Sequence, residues 1–304
     1  MDLTNIKYKS ETINIDDILK PLVISYENNL KDNINSLLFK KTLDKNNWEY
    51  IFIGEGNNWN GVHDKIINYC ETLKKLNPKK VVILSDARDV FCCRSPISLF
   101  NKVQNILNSN KIIISSELYL IGHMNWTDEE VNEKLINNPN FFWQGIPLKK
   151  YWEYYGIKDI PNRKYVNSGL ILGSAEDLLK AFEWVLNKGF NDDQLGFAHY
   201  INEFPQNVYM DTEAEILHTS TYGVNCSGYN VEVSRKDAPS FSELFGNSSY
   251  FLHVTGIQGS KGQNLVYRTI FDIISNYDIH GHILYDQYGI QEPPVYNVNF
   301  EFPK

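Results

Sequence analysis

The chain has 304 residues, of which 42% are hydrophobic and 22% are charged, and its formal net charge is -8. This length is ample for a large buried core, and the composition is ordinary for a globular protein. The acidic balance argues against a nucleic-acid-binding surface, because such a surface needs an excess of lysine and arginine to neutralise phosphates.

The sequence gives no indication of membrane insertion or secretion. No apolar segment approaches the ~20 residues that cross a bilayer, and the polar, acidic N-terminus does not resemble a signal peptide. The four cysteines form no CxxC pair, which favours free thiols in a reducing compartment. We therefore expect a cytoplasmic protein without a membrane span.

The first part of the chain alternates predicted strands with predicted helices. Runs of β-branched and aliphatic residues predict strands at 21–26, 47–54, 81–84 and 111–117. Apolar residues at helical spacing predict helices at 33–44, 63–76 and 97–107. This alternation predicts right-handed crossovers and parallel strand pairs.

The second part of the chain is less regular. Residues 122–155 have weak periodicity and several aromatic residues, which is typical of a lid or substrate loop. Further on, the sequence predicts helices at 175–186 and 195–201, and strands at 165–173, 208–211, 214–218 and 250–254. The strands at 208–211 and 214–218 are predicted to be antiparallel.

These elements predict an α/β fold with a mostly parallel central sheet and helices on both faces. The sequence contains no internal repeat and no linker, which favours one domain over residues 1–304. Residues 266–304 are predicted to pack on this domain as a tail.

The turn that follows the strand at 81–84 is the strongest candidate for a site. Ligands of open α/β sheets bind beyond the carboxyl ends of strands, and here Asp86 and Asp89 stand three residues apart. Two close carboxylates repel each other unless a metal ion or a basic group lies between them. The turn therefore predicts a divalent-metal site. In the alternative, Asp86 caps a helix and Asp89 pairs with an arginine.

Three other polar clusters occur late in predicted strands or just after them. They are the triplet Asn167-Ser168-Gly169, the pair Asp192-Asp193, and His253 followed by Lys261. A glycine inside a strand indicates a bulge or the close approach of a ligand. The pair at 192–193 is equally suited to capping the helix that follows.

Together these motifs resemble the metal-dependent GT-A glycosyltransferases. The similarity is to the N-terminal glycosyltransferase domain of procollagen lysyl hydroxylases and its giant-virus relatives, over about residues 20–265. The matching motifs are SDARDV, SSE, YVNSGLILG, NDDQLGF and LHVTG with a downstream lysine. The resemblance implies a GT-A Rossmann-like fold, and for a viral chain a location in the host cytoplasm or the virion.

The resemblance implies a manganese site built from Asp86, Asp89 and His253, with the diphosphate of a UDP-sugar completing the coordination. Mostly oxygen ligands with one imidazole suit Mn²⁺ better than Ca²⁺. Read alone, a histidine at position 253 is more often a core residue.

The resemblance also implies residues that bind the sugar nucleotide. Ser25 and Tyr26 would lie at the uracil or ribose, and Trp59 would flank the same pocket or pack in the core. The Lys261 side chain would reach the diphosphate, with Gly256 and its neighbours allowing backbone amides to approach. Asp86 would contact the nucleotide indirectly, by holding the metal ion that binds the diphosphate.

For the transfer reaction, the resemblance implies that Asp192 or Asp193 acts as a base or stabilises an oxocarbenium-like transition state. Glu117 and Asn167 would hold the sugar hydroxyls. Two tryptophans at 126 and 143 would form an acceptor platform or belong to the core.

The implied reaction moves glucose or galactose to an acceptor hydroxyl, such as that of hydroxylysine or galactosyl-hydroxylysine in collagen-like protein. The alternatives are a viral glycan as acceptor, a non-catalytic accessory module, and a sugar-nucleotide pyrophosphorylase. The last class expects a glycine- and lysine-rich loop after the first strand, which Glu27-Asn28-Asn29 is not. One departure from the family is Arg88, which stands where an aromatic residue usually stacks on the base. A guanidinium also stacks on a base plane.

Overall fold

In the computed structural model the described residues are 20–59, 61–117, 146–190, 192–221 and 249–255. Within these ranges the strands are β1 (Leu22–Tyr26), β2 (Glu49–Ile53), β3 (Val81–Ser85), β4 (Val90–Cys92), β5 (Ile112–Glu117), β6 (Tyr165–Ser174), β7 (Val208–Asp211), β8 (Leu217–Thr221) and β9 (Phe251–Thr255). The helices are α1 (Ile34–Lys45), α2 (Val62–Leu73), α3 (Leu99–Leu107), α4 (Lys149–Tyr154), α5 (Ala175–Lys188) and α6 (Asp193–Glu203). None of the described helices has the length and apolarity needed to cross a membrane.

The nine described strands form one mixed sheet. Its order is β2-β1-β3-β6-β5-β8-β9-β4, and β7 pairs with β5 as well. Five strand pairs are parallel, namely β1–β2, β1–β3, β5–β7, β5–β8 and β8–β9. The antiparallel pairs are β3–β6, β5–β6 and β4–β9. The predicted α/β class with a mostly parallel sheet is confirmed.

Helices cover both faces of the sheet because the central strands are apolar on both sides. In β1, Ile24 belongs to one core cluster and its neighbour Val23 belongs to the other. The first cluster contains residues of α2, α5 and α6, and the second contains residues of α1 and α3. Fully burying a side chain of this size contributes about 1.5–3 kcal/mol, so these two layers account for the predicted helices on both faces.

Two side chains hold the carbonyl group of Ser85, the last residue of β3. The hydroxyls of Ser25 and Tyr69 both donate to the carbonyl oxygen of Ser85, at 2.8 and 2.9 Å. The backbone N–H of Asp86 then donates to the carbonyl of Gly169 at 2.9 Å. These bonds fix the turn that carries the carboxylates at the carboxyl end of β3.

The sheet differs from the prediction in the place of one polar triplet within its strand and in the direction of one strand pair. Strand β6 runs antiparallel to β3 and β5, so Asn167 and Gly169 lie near its start and still reach the carboxyl ends of its neighbours. The predicted antiparallel pair at 208–211 and 214–218 is wrong, since β7 and β8 both run parallel to β5. The Asp211 carboxylate accepts the N–H groups of residues 215–217, and this turn replaces a hairpin.

Two further features were not predicted. The short strand β4 directly follows the turn at residues 86–89, which we call the metal turn. It pairs with β9 and places Val90 opposite His253. In the β5–β6 pair the register shifts, because Ile114 faces Ile171 while the next residue, Ser115, faces Asn167. Residues 168–170 of β6 therefore form a bulge relative to β5.

Candidate metal and sugar-nucleotide site

Asp86, Asp89 and His253 meet at the carboxyl end of β3. One ligand atom from each of the three lies within 4.8 Å of the other two. Asp86 and Asp89 come from the turn after β3, whereas His253 is delivered by β9 through its pairing with β4. His253 and Asp89 are buried and Asp86 is partly exposed, so the cluster opens to solvent on the side of Asp86. The predicted convergence of these three residues is confirmed.

The imidazole of His253 is oriented toward the two carboxylates. Its Nε2 lies 3.4 Å from Asp89 Oδ1 and 3.8 Å from Asp86 Oδ2, and its Nδ1 lies 2.9 Å from Asn167 Oδ1. Burial alone lowers the pKa of His253, but the charges of Asp89 and Asp86 outweigh burial and leave that pKa above its ordinary value. The carboxylates thus favour a positive charge at this point.

Gly169 makes room for the imidazole. A Cβ at position 169 would lie 2.5 Å from His253 Nδ1 and 2.9 Å from Asp86 Oδ2, and it would also overlap His253 Cε1. The glycine of the Asn-Ser-Gly triplet is therefore required by the close approach of two site residues, whereas the sequence had predicted a bulge or the close approach of a ligand.

Lys65 joins the two acidic groups of the site and was missed by the sequence analysis. Its ammonium lies 2.9 Å from Asp86 Oδ1 and 2.6 Å from Asp193 Oδ2. Burial lowers the pKa of Lys65, but the two carboxylates raise it well above its ordinary value. The available signal was its position in α2, one turn before the buried Tyr69 on the same helix face.

Asp192 and Asp193 differ in their surroundings. Asp192 is the N-cap of α6, and its Oδ1 accepts the N–H of Leu195 at 2.8 Å. Burial and the neighbouring Asp193 raise the pKa of Asp192 to about 6. Asp193 is paired with Lys65. The capping alternative therefore holds for Asp192 without excluding a second role, and Lys65 brings this pair to the metal cluster.

Glu117 and Asn167 lie behind His253, away from solvent. The Glu117 carboxylate accepts from Gln194 Nε2 at 2.8 Å and from Asn167 Nδ2 at 3.3 Å. Burial raises the pKa of Glu117 to about 8, although His253 acts in the opposite direction. Gln194 is a second residue that the sequence analysis left without a role.

Arg88 is held by a buried carboxylate. Its Nε and Nη2 donate to Glu27 at 2.9 and 2.8 Å, and Nη2 also donates to Asn28 Oδ1 at 3.2 Å. The Glu27 side chain is fully buried and accepts from Ser36 Oγ as well, whereas 41% of the Arg88 side chain is exposed. Burial raises the pKa of Glu27, but Arg88 and Ser36 lower it more, so the net shift is downward. The result is a planar cation in a fixed orientation beside the metal turn.

The residues predicted to bind the nucleotide lie at the end of β1. The rings of Tyr26 and Trp59 are 5.6 Å apart, and Trp59 is half exposed. Gly54 lies against the Tyr26 ring, where a Cβ would be 2.5 Å from Cε2. Ser25 is buried, and its hydroxyl bonds within the sheet, so that its contact with a nucleotide stays a prediction.

Four other predicted residues fall outside the described part of the chain. They are Gly256 and Lys261, assigned to the diphosphate, and the tryptophans at 126 and 143, assigned to the acceptor.

Comparisons with known proteins give a curated relative and matches among solved structures. No family model matches the chain. An uncharacterized protein of Acanthamoeba polyphaga mimivirus is 27% identical over 217 residues, which cover 68% of this chain and 41% of that protein. The chain thus spans less than half the length of this curated relative. The crystal structure of a glycosyltransferase involved in the glycosylation of the major capsid of PBCV-1 is similar with a TM-score of 0.45 and 10% identity, over 82% of this chain and 99% of that chain.

Proposed function

We propose that the protein is a metal-dependent glycosyltransferase that uses a UDP-sugar. The observation that carries this proposal is the meeting of Asp86, Asp89 and His253 within 4.8 Å at the carboxyl end of β3. This edge is where open α/β sheets bind nucleotides. The same three positions are the metal ligands of the glycosyltransferase family that the sequence motifs resemble.

The side chains of the site fit a divalent cation. Two carboxylates and one imidazole form an oxygen-rich donor set with one nitrogen, which suits Mn²⁺. His253 Nε2 is buried and faces Asp89 Oδ1 at 3.4 Å and Asp86 Oδ2 at 3.8 Å, as expected for a nitrogen that would share a cation with these carboxylates. A cation bound here would offset the charge of a diphosphate and stabilise the departing nucleotide.

The donor would lie between the metal cluster and the end of β1. Tyr26 and Trp59 offer aromatic surface for the uracil and ribose, and Arg88 offers a planar cation held by Glu27. The family resemblance adds Gly256 and Lys261 as ligands of the diphosphate. It also supplies glucose or galactose as the donor sugar.

Asp192 is the carboxylate best suited to act on the acceptor hydroxyl. Its neighbour Asp193 is paired with Lys65, whereas Asp192 has a pKa of about 6 and accepts the backbone N–H of Leu195 at its cap. A carboxylate with this pKa accepts a proton at neutral pH more readily than an ordinary aspartate does. Asp193 and Lys65 would remain an ion pair beside the sugar and would not exchange protons with it.

The acceptor follows from the family resemblance alone. It implies the hydroxyl of hydroxylysine or galactosyl-hydroxylysine in a collagen-like protein, and a viral glycan is the other acceptor of the same chemistry. The competing class is a non-catalytic accessory module. A module that had lost activity would not need three ligand atoms within 4.8 Å of one another, which favours the enzyme.

A donor screen tests the proposal. UDP release from several UDP- and GDP-sugars would be measured with and without Mn²⁺, and we expect release only from a UDP-sugar with the metal. Asp89→Ala should abolish this activity, whereas Asp159→Ala, at an exposed carboxylate away from the site, should not change it. Activity of Asp89→Ala within a few-fold of the wild type would refute the ligand role.

Ligand-dependent melting separates the enzyme from an inert protein of the same fold. A ligand that binds only the folded state raises the melting temperature by mass action. We expect UDP with Mn²⁺ to raise it more than UDP alone. The absence of any shift at saturating UDP and Mn²⁺ would count against the whole site.

A further inference from the structure

The Asn167 side chain uses its hydrogen-bonding capacity inside the protein. Its Oδ1 accepts the backbone N–H of Gly169 at 3.0 Å and lies 2.9 Å from His253 Nδ1. Its Nδ2 donates to Glu117 Oε2 and to Gln194 Oε1, both at 3.3 Å. Ser115 Oγ lies 3.5 Å from Oδ1 as well. Asn167 is 2% exposed, so that a sugar hydroxyl would have to displace one of these partners.

These partners fix the orientation of the amide. The N–H of Gly169 only donates, so the atom that faces it must be the oxygen of Asn167. At the other end, Asn167 Nδ2 faces Glu117 Oε2 and Gln194 Oε1. The oxygen of Asn167 is therefore the atom beside His253.

The amide in turn fixes the tautomer of His253. Because Asn167 Oδ1 accepts, His253 Nδ1 must carry the hydrogen, and in the neutral ring the lone pair lies on Nε2. Nε2 is the atom that faces Asp89 and Asp86. We propose that Asn167, held by Glu117 and Gln194, is a positioning residue that keeps His253 in the tautomer and orientation that bind a divalent cation.

This inference rests on the metal site of the proposed function and adds three residues behind it. Partners of this kind are worth roughly 10–100-fold in metal affinity, because they fix the ring and raise the basicity of the ligating nitrogen. The hydrogen bonds that Gln194 and Glu117 make to each other and to Asn167 explain why these two polar side chains are buried.

Mn²⁺ affinity, measured by electron paramagnetic resonance without nucleotide, tests the inference. Asn167→Leu removes the acceptor and should weaken Mn²⁺ binding roughly 10–100-fold. The double variant Asn167→Asp with Glu117→Gln keeps one ionisable carboxyl in this group, and the new carboxylate accepts from Gly169, from His253 and from the new amide. We expect it to bind Mn²⁺ within a few-fold of the wild type.

Asn46→Leu is the matched control for folding. Asn46 is also buried, and its amide donates to the carbonyls of Thr42 and Cys92, away from the metal cluster. It should lower the melting temperature without changing Mn²⁺ affinity. Wild-type affinity in folded Asn167→Leu, or a double variant that folds and binds as weakly as Asp89→Ala, would overturn the inference.

A nitrogen NMR experiment reads the tautomer directly in metal-free protein, at a pH high enough for the imidazole to have lost its second proton. The wild type and the double variant should show His253 protonated on Nδ1, and a wild-type ring protonated on Nε2 would refute the inference. If the wild type bound no Mn²⁺, the metal site of the proposed function would fail. The Nδ1 assignment would then be tested by this spectrum alone.

Discussion

The imidazole of His253 packs against the α-carbon of Gly169, at a distance that leaves no space for a methyl group. The backbone of Gly169 is not in the left-handed region, so alanine would introduce a collision without backbone strain. We expect Gly169→Ala to displace His253 and to weaken Mn²⁺ binding by about tenfold or more, as measured by isothermal titration calorimetry.

Gly173→Ala provides the comparison on the same strand. A Cβ there would lie 3.0 Å from an Ile112 methyl and 3.1 Å from Leu178 Cγ, in the core between β5 and α5. It should cost some stability and leave metal affinity unchanged. Equal loss of affinity in both variants would mean that the effect comes from the strand as a whole.

The second prediction concerns Lys65, whose ammonium forms ion pairs with both Asp86 and Asp193. Lys65→Met leaves Asp193 buried without its cation, and removing one partner of a buried pair costs about 3 kcal/mol. Urea denaturation at pH 7 without metal should show this loss in the free energy of unfolding. The loss should shrink at acidic pH, where the carboxylates take up protons.

Lys74→Met is the control for Lys65. Lys74 forms an exposed ion pair with Glu183, and such pairs contribute little because water screens them. We expect a much smaller change in unfolding free energy. A Lys65→Met protein as stable as Lys74→Met would show that the bridge to Asp193 is not formed in solution.

The pH dependence of transfer tests Asp192. Burial and Asp193 raise the pKa of Asp192 to about 6, so the group is protonated below that pH and ionised above it. A base must be ionised, and the turnover number should therefore rise as pH increases through about 6. Asp192→Asn should lower turnover on the order of 10²-fold and remove this rise, while UDP affinity stays unchanged.

The same variant also tests the pKa of Asp192 through stability. Turnover should rise with pH, whereas the contribution of Asp192 to the free energy of unfolding should fall. Because the folded-state pKa of Asp192 exceeds its ordinary value of 3.8, this group makes the fold less stable as pH rises from about 3.8 to about 6. Asparagine is as good a helix N-cap as aspartate, so Asp192→Asn should be relatively more stable at pH 7 than at pH 4. A lower stability at pH 7 would indicate that the charge is needed for the cap.

The last prediction concerns the ion pair of Arg88 with Glu27, whose coupling a double-mutant cycle would measure. Arg88→Ala leaves a buried carboxylate without its cation and should cost about 2 kcal/mol of unfolding free energy, while weakening UDP binding. Adding Glu27→Gln should recover part of that stability without recovering UDP affinity. Additive losses from the two single changes would show that the pair is not coupled.

The sequence predicted much of the site because its key residues follow strands. The run at 81–84 predicted a central strand, and the ligands of open α/β sheets collect at strand ends, which placed Asp86 and Asp89 correctly. The meeting with His253 depended on the family resemblance, since no local pattern relates a residue of β9 to a turn so far away in the chain.

Other features could not be predicted because they arise only in the folded chain. Lys65 reads as an ordinary helix residue until α2 packs beside the turn. Strand β4 is three residues long and carries no periodicity. The direction of β6 depends on its neighbours, because antiparallel and parallel central strands have the same apolar pattern.

The bulge at residues 168–170 makes the number of residues in β6 a strict constraint, because it sets which side chains face the site. Side chains alternate between the two faces of a strand, so a one-residue deletion there would reverse the faces of all residues on one side of it. Asn167 would then point away from His253 while the rest of β6 kept its place. Homologous or engineered sequences should accept changes of residue type in this strand at positions other than Asn167, Gly169 and Gly173, but insertions and deletions only outside it.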